Sequence, residues 1–333
     1  MELIKKVIYY KRVITFMLVL NILFLSFSFP SVSIAKEPLL IIREEGEDFN
    51  AAVKGITGEL KEDFNINEMI AAKSVTIGNI ASKMKEVSPK IVILMENRLI
   101  DLYRQYQSQL KPSDPVVPSV SLMGVFMGML IEGMKNATGI SYEVPIMTSV
   151  MNIRAVFDMP FTKIGVVHRE FMTPFIDENR KYCANEKIEV VSYPIPDSGN
   201  IESNLKKALK QISSDSKIDA IWIPNDSSLI NAQYLRSIWQ PFRKSFEKPI
   251  IVGIEVLVKP QLKFATFAVV PDHVELGAQA GRLVIDIMDN EWRTDKMGIV
   301  LPYSVQKILN YQQSKEIFKL KENFKYKVDK ILE

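Results

Sequence analysis

The chain has 333 residues, 47% of them apolar and 24% charged, the proportions of a globular protein rather than a disordered, fibrous or disulfide-stapled one. Lys and Arg number 42 against 39 Asp and Glu, a net charge of +3, which is too weak a basic field to argue for a nucleic-acid partner. One cysteine (Cys183) and two histidines (His168 and His273) cannot build an internal disulfide or a thiolate metal site and leave little for a zinc centre or a His-based triad, so no metal or cofactor is expected.

The chain opens with Lys5, Lys6, Lys11 and Arg12, followed by an uncharged run from Val13 to Phe29. Pro30 stops a helix there, and Ser33 and Ala35 put small residues at the −3 and −1 positions of a cleavage site. Residues 1–35 therefore read as a cleaved signal peptide. An uncleaved anchor is the alternative, because the 17-residue run is at the lower limit for a bilayer span. With no cysteine near Ala35, a lipoprotein is not expected. Cleavage would remove four cations and one anion, leaving 298 residues of zero net charge. The expected location is the periplasm or the exterior.

After Lys36 short apolar runs alternate with amphipathic stretches. Residues 38–43, 65–72, 90–96 and 115–122 read as buried strands, and 163–169, 188–195, 219–226 and 249–255 form a second series. Ile80–Val87, Ile201–Ile212 and Leu229–Phe246 carry apolar residues three or four apart, as helices do. This alternation predicts an α/β fold with parallel sheets. The glycine-rich break from Met123 to Pro145 divides the strands into two sets of four, pointing to two doubly wound lobes; a single (β/α)₈ barrel is the alternative. In open sheets ligands collect past the carboxyl ends of the strands. The residues there are polar but for one proline: Arg43, Glu44, Glu96, Asn97, Ser121, His168, Arg169, Pro194, Asn225, Asp226 and Glu255.

Four stretches, NATGISYEVP (136–145), KIGVVHRE (163–170), DAIWIPND (219–226) and FAVVPDHVELGAQAGRLVIDIM (267–288), together resemble the substrate-binding proteins of ABC transporters, in the branch that binds aromatic amino acids such as tryptophan. The resemblance implies a type I periplasmic binding fold, with two lobes joined by a three-stranded hinge that closes on a small molecule. It assigns residues 36–145 plus about 256–295 to the first lobe and 146–255 plus about 296–333 to the second. It also implies a monomeric, non-enzymatic protein with a membrane permease as partner. One departure stands out. Where the family carries a Thr-Pro-Ala-Ala-like turn suited to an anion, this chain reads MENRLIDL (95–102), and Glu96 would repel an anion unless Arg98 turns inward.

Asp226 is either a cleft carboxylate for a ligand amine or hydroxyl, or a helix N-cap, with Ser227 or Ser228 able to cap in its place. Asp272 carries the same two readings. Ser141 and Tyr142 could hold a carboxylate and supply an aromatic wall, or form an ordinary loop. Arg169 could present a fork of donors to a carboxylate. His168 reads as a solvated strand end and His273 as a surface residue. Glu255 belongs at the cleft mouth or on the hinge surface. Trp222, Trp239 and Trp292, and the row Met123, Met127 and Met134, read as packing. Asn136-Ala137-Thr138 matches a glycosylation acceptor by accident.

The acidic lining (Glu96, Asp226, Glu255 and Asp272) predicts a ligand bearing an amine or several hydroxyls, with an amino acid as first choice. The rival readings are a periplasmic sensing subunit for a membrane histidine kinase and an exported enzyme acting through a carboxylate pair such as Asp226 and Asp272. No P-loop, dinucleotide fingerprint, HExxH or GxSxG motif is present.

Overall fold

The structure is a computed structural model that describes residues 35–333; apart from Ala35, the expected signal peptide lies outside the described residues. The first sheet holds β1 (Glu37–Arg43), β2 (Phe64–Ile70), β3 (Ile91–Met95), β4 (Ser119–Leu122) and β5 (Ala137–Gly139). Their order is β2-β1-β3-β4-β5, with every pair parallel. Helices α1 (Glu47–Leu60), α2 (Ile77–Val87) and α3 (Asn97–Ser108) follow the first three strands. Because helices cover both faces, the central strands β1 and β3 carry continuous apolar runs rather than alternating ones. Leu39 and Ile41 pack with α1 on one side, while Leu40 and Ile42 pack with α2 and α3 on the other.

The second sheet holds β6 (Lys163–Arg169), β7 (Glu189–Ile195), β8 (Ala220–Ile223), β9 (Ile250–Val252), β10 (Phe267–Pro271), β11 (Val305–Asn310) and β12 (Lys330–Leu332). The order is β12-β11-β10-β9-β8-β6-β7, and only the β10–β11 pair is antiparallel. Around it lie α4 (Ile146–Val156), α5 (Thr173–Asn185) and α6 (Ile201–Ser214). The strand ending in Leu332 gives the C-terminal residues, whose form the sequence left open, a place on the sheet edge.

Among the described residues three segments cross between the lobes. Ile140–Pro145 leads from β5 to α4. Asp272 leads from β10 back to α7 (His273–Asp289), which lies along α1 in the first lobe. The chain then bonds to the end of β5, through Val300 N–H to the Gly139 carbonyl at 3.1 Å and Ser141 N–H to the Val300 carbonyl at 2.9 Å, before returning to β11. This corrects the lobe boundaries expected near residues 256 and 296. Residues 256–271 belong to the second lobe, because β10 pairs with β9 and β11, and the last crossing follows Val300. The helix expected from Leu229 starts instead at Ala232, where the Asn231 side chain accepts from Gln233 N and Tyr234 N. Its middle turn, Leu235–Trp239, is π-helical ahead of Pro241, which has no N–H for the preceding turn.

Candidate functional site

Strand order reverses between β1 and β3 in the first sheet and between β6 and β8 in the second, and such reversals open a crevice at the carboxyl ends of the strands. An arginine–carboxylate pair spans each crevice. Arg98 Nη2 lies 2.5 Å from Glu44 Oε1. Arg169 grips Asp226 with both arms of its fork, Nε to Oδ2 at 2.6 Å and Nη2 to Oδ1 at 3.1 Å. The guanidinium also lies 4.5 Å above the Phe171 ring, a cation–π contact. Asp226 is only 2% exposed and additionally accepts from Ser228 N–H.

The first crossover sorts its side chains by alternation, as extended chain does. Ser141 and Glu143 face one recess and Tyr142 faces another. The recess holding Ser141 and Glu143 measures about 350 Å³ and lies between the lobes, with Phe126 and Met127 on one side and Phe171 and Phe175 on the other. Glu143 is 4% exposed. It accepts from Phe126 N–H at 2.5 Å and from Ser141 Oγ at 2.6 Å. The first bond holds Phe126 at φ 59°, a conformation uncommon outside glycine. Phe126 and Phe171 meet edge to face with centroids 4.8 Å apart, so the lobes touch here.

The other recess, about 450 Å³, is lined by Glu47, Asp48, Tyr142, Glu255, Asp272 and His273 among others. Tyr142 Oη lies 2.8 Å from His273 Nε2, and His273 Nδ1 lies 3.2 Å from Asp48 Oδ1. Burial, reinforced by Asp48 and Glu255, raises the Tyr142 phenol well above its ordinary range, so it stays protonated. A proton on Nδ1, facing Asp48, leaves Nε2 to accept from the tyrosine.

The nominated residues take the following partners within the chain. Arg169, read as a fork for a ligand carboxylate, spends that fork on Asp226. Asp272 caps α7, accepting from Val274 N–H and Glu275 N–H, and takes a further bond from Gln306. Glu96 folds back on α3, accepting from Arg98 N–H at 3.0 Å, and Arg98 turns to Glu44. Asn97 holds the loop after β4 through Val125 N–H and the Val125 carbonyl. Asn225 donates to the Gly253 carbonyl. Glu255 pairs with Lys330 while lining the acidic recess. Ser141 and Tyr142, expected to act together, lie on opposite sides of the crossover.

Ser121, His168 and Pro194 lie inside strands rather than past them, with Ser121 and His168 buried. His168 bridges the Arg169 carbonyl and Ser192 Oγ, and burial depresses its pKa. His273 is engaged with Tyr142 and Asp48 rather than lying free on the surface. Trp222, Trp239 and Trp292 all pack. Sequence reasoning missed Glu143, Phe126, Phe171 and Phe175. Glu143 was visible in principle, since it stands two positions after Ser141 and shares its face. Among the described residues no group of three or more His, Cys, Asp or Glu is placed to hold a metal ion.

No family model matches the chain, and no curated protein matches it in sequence. Solved structures do match. A ligand-free, open substrate-binding protein with adhesive properties from Clostridium difficile aligns over 89% of this chain and 99% of its own, with a TM-score of 0.62 at 16% identity. A Streptococcus pneumonia ABC domain in complex with L-Trp aligns over 89% of this chain and 100% of its own, with a TM-score of 0.53 at 17% identity. At these identities the likeness concerns the fold. The chain has the two-lobed α/β architecture of type I periplasmic binding proteins.

Proposed function

We propose that this is an exported, non-enzymatic solute-binding protein that captures a small amine-bearing molecule by closing its two lobes, and hands it to the permease of an ABC importer. One observation carries the reading: residues past the carboxyl ends of both sheets' strands line common recesses, Glu47 with Glu255 and Phe126 with Phe171, and among the described residues three crossovers join the lobes. A ligand touching both lobes favours the closed form, because only there are both sets of contacts made. The likeness to a substrate-binding protein and to an L-Trp complex supports a small-molecule ligand. The carboxylates around the cleft support an amine on it.

The test is thermal unfolding across a panel of amino acids, amines and sugars. A ligand present at a hundred times its Kd stabilises by about 2.7 kcal/mol. A panel with no stabilising member counts against the reading. Small-angle scattering should show compaction with the same ligand, and cell fractionation should recover the protein outside the cytoplasm.

A further inference from the structure

The apolar recess at the first crossover carries a charge imbalance. Its lining holds a buried carboxylate, Glu143, and no lysine, arginine or histidine. Burying a carboxylate without a cation is costly, and among the described residues two hydrogen bonds, from Phe126 N–H and Ser141 Oγ, offset the cost. The cations around the wider cleft are already committed: Arg98 to Glu44, Arg43 to Glu68 and Arg169 to Asp226. On the far side of the crossover the second recess adds Glu47, Asp48 and Asp272 against a single histidine, with Glu255 paired to Lys330. Several nearby backbone donors that might serve an anion are also taken. Val125 N–H goes to Asn97, Phe171 N–H to Asp197 and Thr173 N–H to the Glu170 carbonyl, while Pro174 has none.

The walls, by contrast, suit a cation with an apolar body. Phe126, Phe171 and Phe175 present aromatic rings, and Met127 and Met172 fill between them; ring faces attract ammonium groups. The volume of about 350 Å³ is that of a small-molecule pocket. We infer that the ligand is an amphiphilic organic cation, an ammonium on an aromatic or alkyl body without a carboxylate, with its charge beside Glu143 and its body against the phenylalanines that line the recess. This rests on the solute-binding reading and departs from the amino acid that the sequence put first.

The experiment titrates the purified protein calorimetrically with 2-phenylethylamine, L-phenylalanine and 3-phenylpropionate, which share a ring and differ in their charged ends, beside a panel of alkylamines, amino acids and sugars. An amine of the aryl or alkyl series should bind at least tenfold more tightly than its amino-acid counterpart, and the carboxylate should not bind. Glu143→Gln keeps the acceptor for Phe126 N–H and should weaken the amine at least tenfold while leaving the melting temperature of the unliganded protein close to that of the parent. Phenylalanine binding as tightly as phenylethylamine overturns the inference, with Arg169 Nη1 as the group then holding the carboxylate. So does an unchanged amine affinity in Glu143→Gln, or a sugar as the only binder; these outcomes leave solute binding intact. Should the variant fold poorly, the three-probe series on the parent protein decides alone. No binding across the whole panel defeats the solute-binding reading itself.

Discussion

Replacing Gly277 by alanine tests how the returning helix is seated in the first lobe. A Cβ at Gly277 would lie 1.9 Å from the Ala52 carbonyl oxygen, and one at Gly55 would lie 1.9 Å from the Val274 carbonyl oxygen, so α1 and α7 approach backbone to backbone. Ordinary contact starts near 3.4 Å, which requires the helices to part by about 1.5 Å. Overpacking costs about 1–3 kcal/mol, and a rigid backbone obstacle puts this case near 3. Alanine recovers about 1 kcal/mol of helix propensity, for a net loss of about 2 kcal/mol. With an unfolding entropy of roughly 2.1 cal/mol/K per residue over about 300 residues, the melting temperature should fall by about 3 °C.

Differential scanning calorimetry on Gly277→Ala reads this directly, with Gly58→Ala as its control. Gly58 is exposed on α1 with nothing within 4 Å of a new methyl, so alanine there should stabilise by up to about 1 kcal/mol. A rise in melting temperature for Gly277→Ala, matching the control, would refute the close approach. Because α7 begins at the Asp272 crossover, the same variant should also weaken ligand binding, whereas Gly58→Ala should not.

Arg169→Ala strands Asp226 as a buried, uncompensated charge. It should cost about 3 kcal/mol, the low end for such pairs because Arg169 keeps some solvent, and adding Asp226→Asn should restore part of the urea midpoint. At Glu96 the backbone sits at φ 79° and ψ 144°, a strained region worth about 1–3 kcal/mol. Glu96→Gly releases that strain against a lost cap of about 1 kcal/mol, whereas Glu96→Ala loses the cap and keeps the strain, so glycine should melt higher than alanine. His168 is buried and its pKa lies below the ordinary value. The folded state therefore favours the neutral ring, the contribution is intact above about pH 6.5, and stability falls as pH drops through the depressed pKa. Chemical denaturation from pH 7.5 to 5 should show this slope shrinking in His168→Gln.

The strand runs were legible because parallel strands buried on both faces are uniformly apolar, as Leu39 to Ile42 are. The short strand Ala137–Gly139 was not, because three small residues carry no such signal and take their place from pairing with Ser119–Ser121 of β4, with the Ile140–Val300 bridge, 160 positions apart in sequence, just beyond them. Side-chain partners hid for a similar reason. A strand-end carboxylate reads identically whether its partner is a ligand or a residue of the chain, and for Asp226 the partner is Arg169, 57 positions away. The chain thus engages the cleft groups that were easiest to nominate, pairing Asp226 and Glu255 with cations and turning Glu96 and Asp272 to helix N-termini, while Glu143, with no cation in the lining of its recess, is enclosed by apolar residues. That inversion follows from desolvation. Asp226, itself only 2% exposed, is met by a guanidinium of the chain, whereas a charge among phenylalanines gains most from a partner that arrives with its own apolar surface. Selectivity in such a cleft comes from the residue whose charge the fold leaves unanswered, which ranks Glu143→Gln ahead of Asp226→Asn as the substitution that should change which molecules bind.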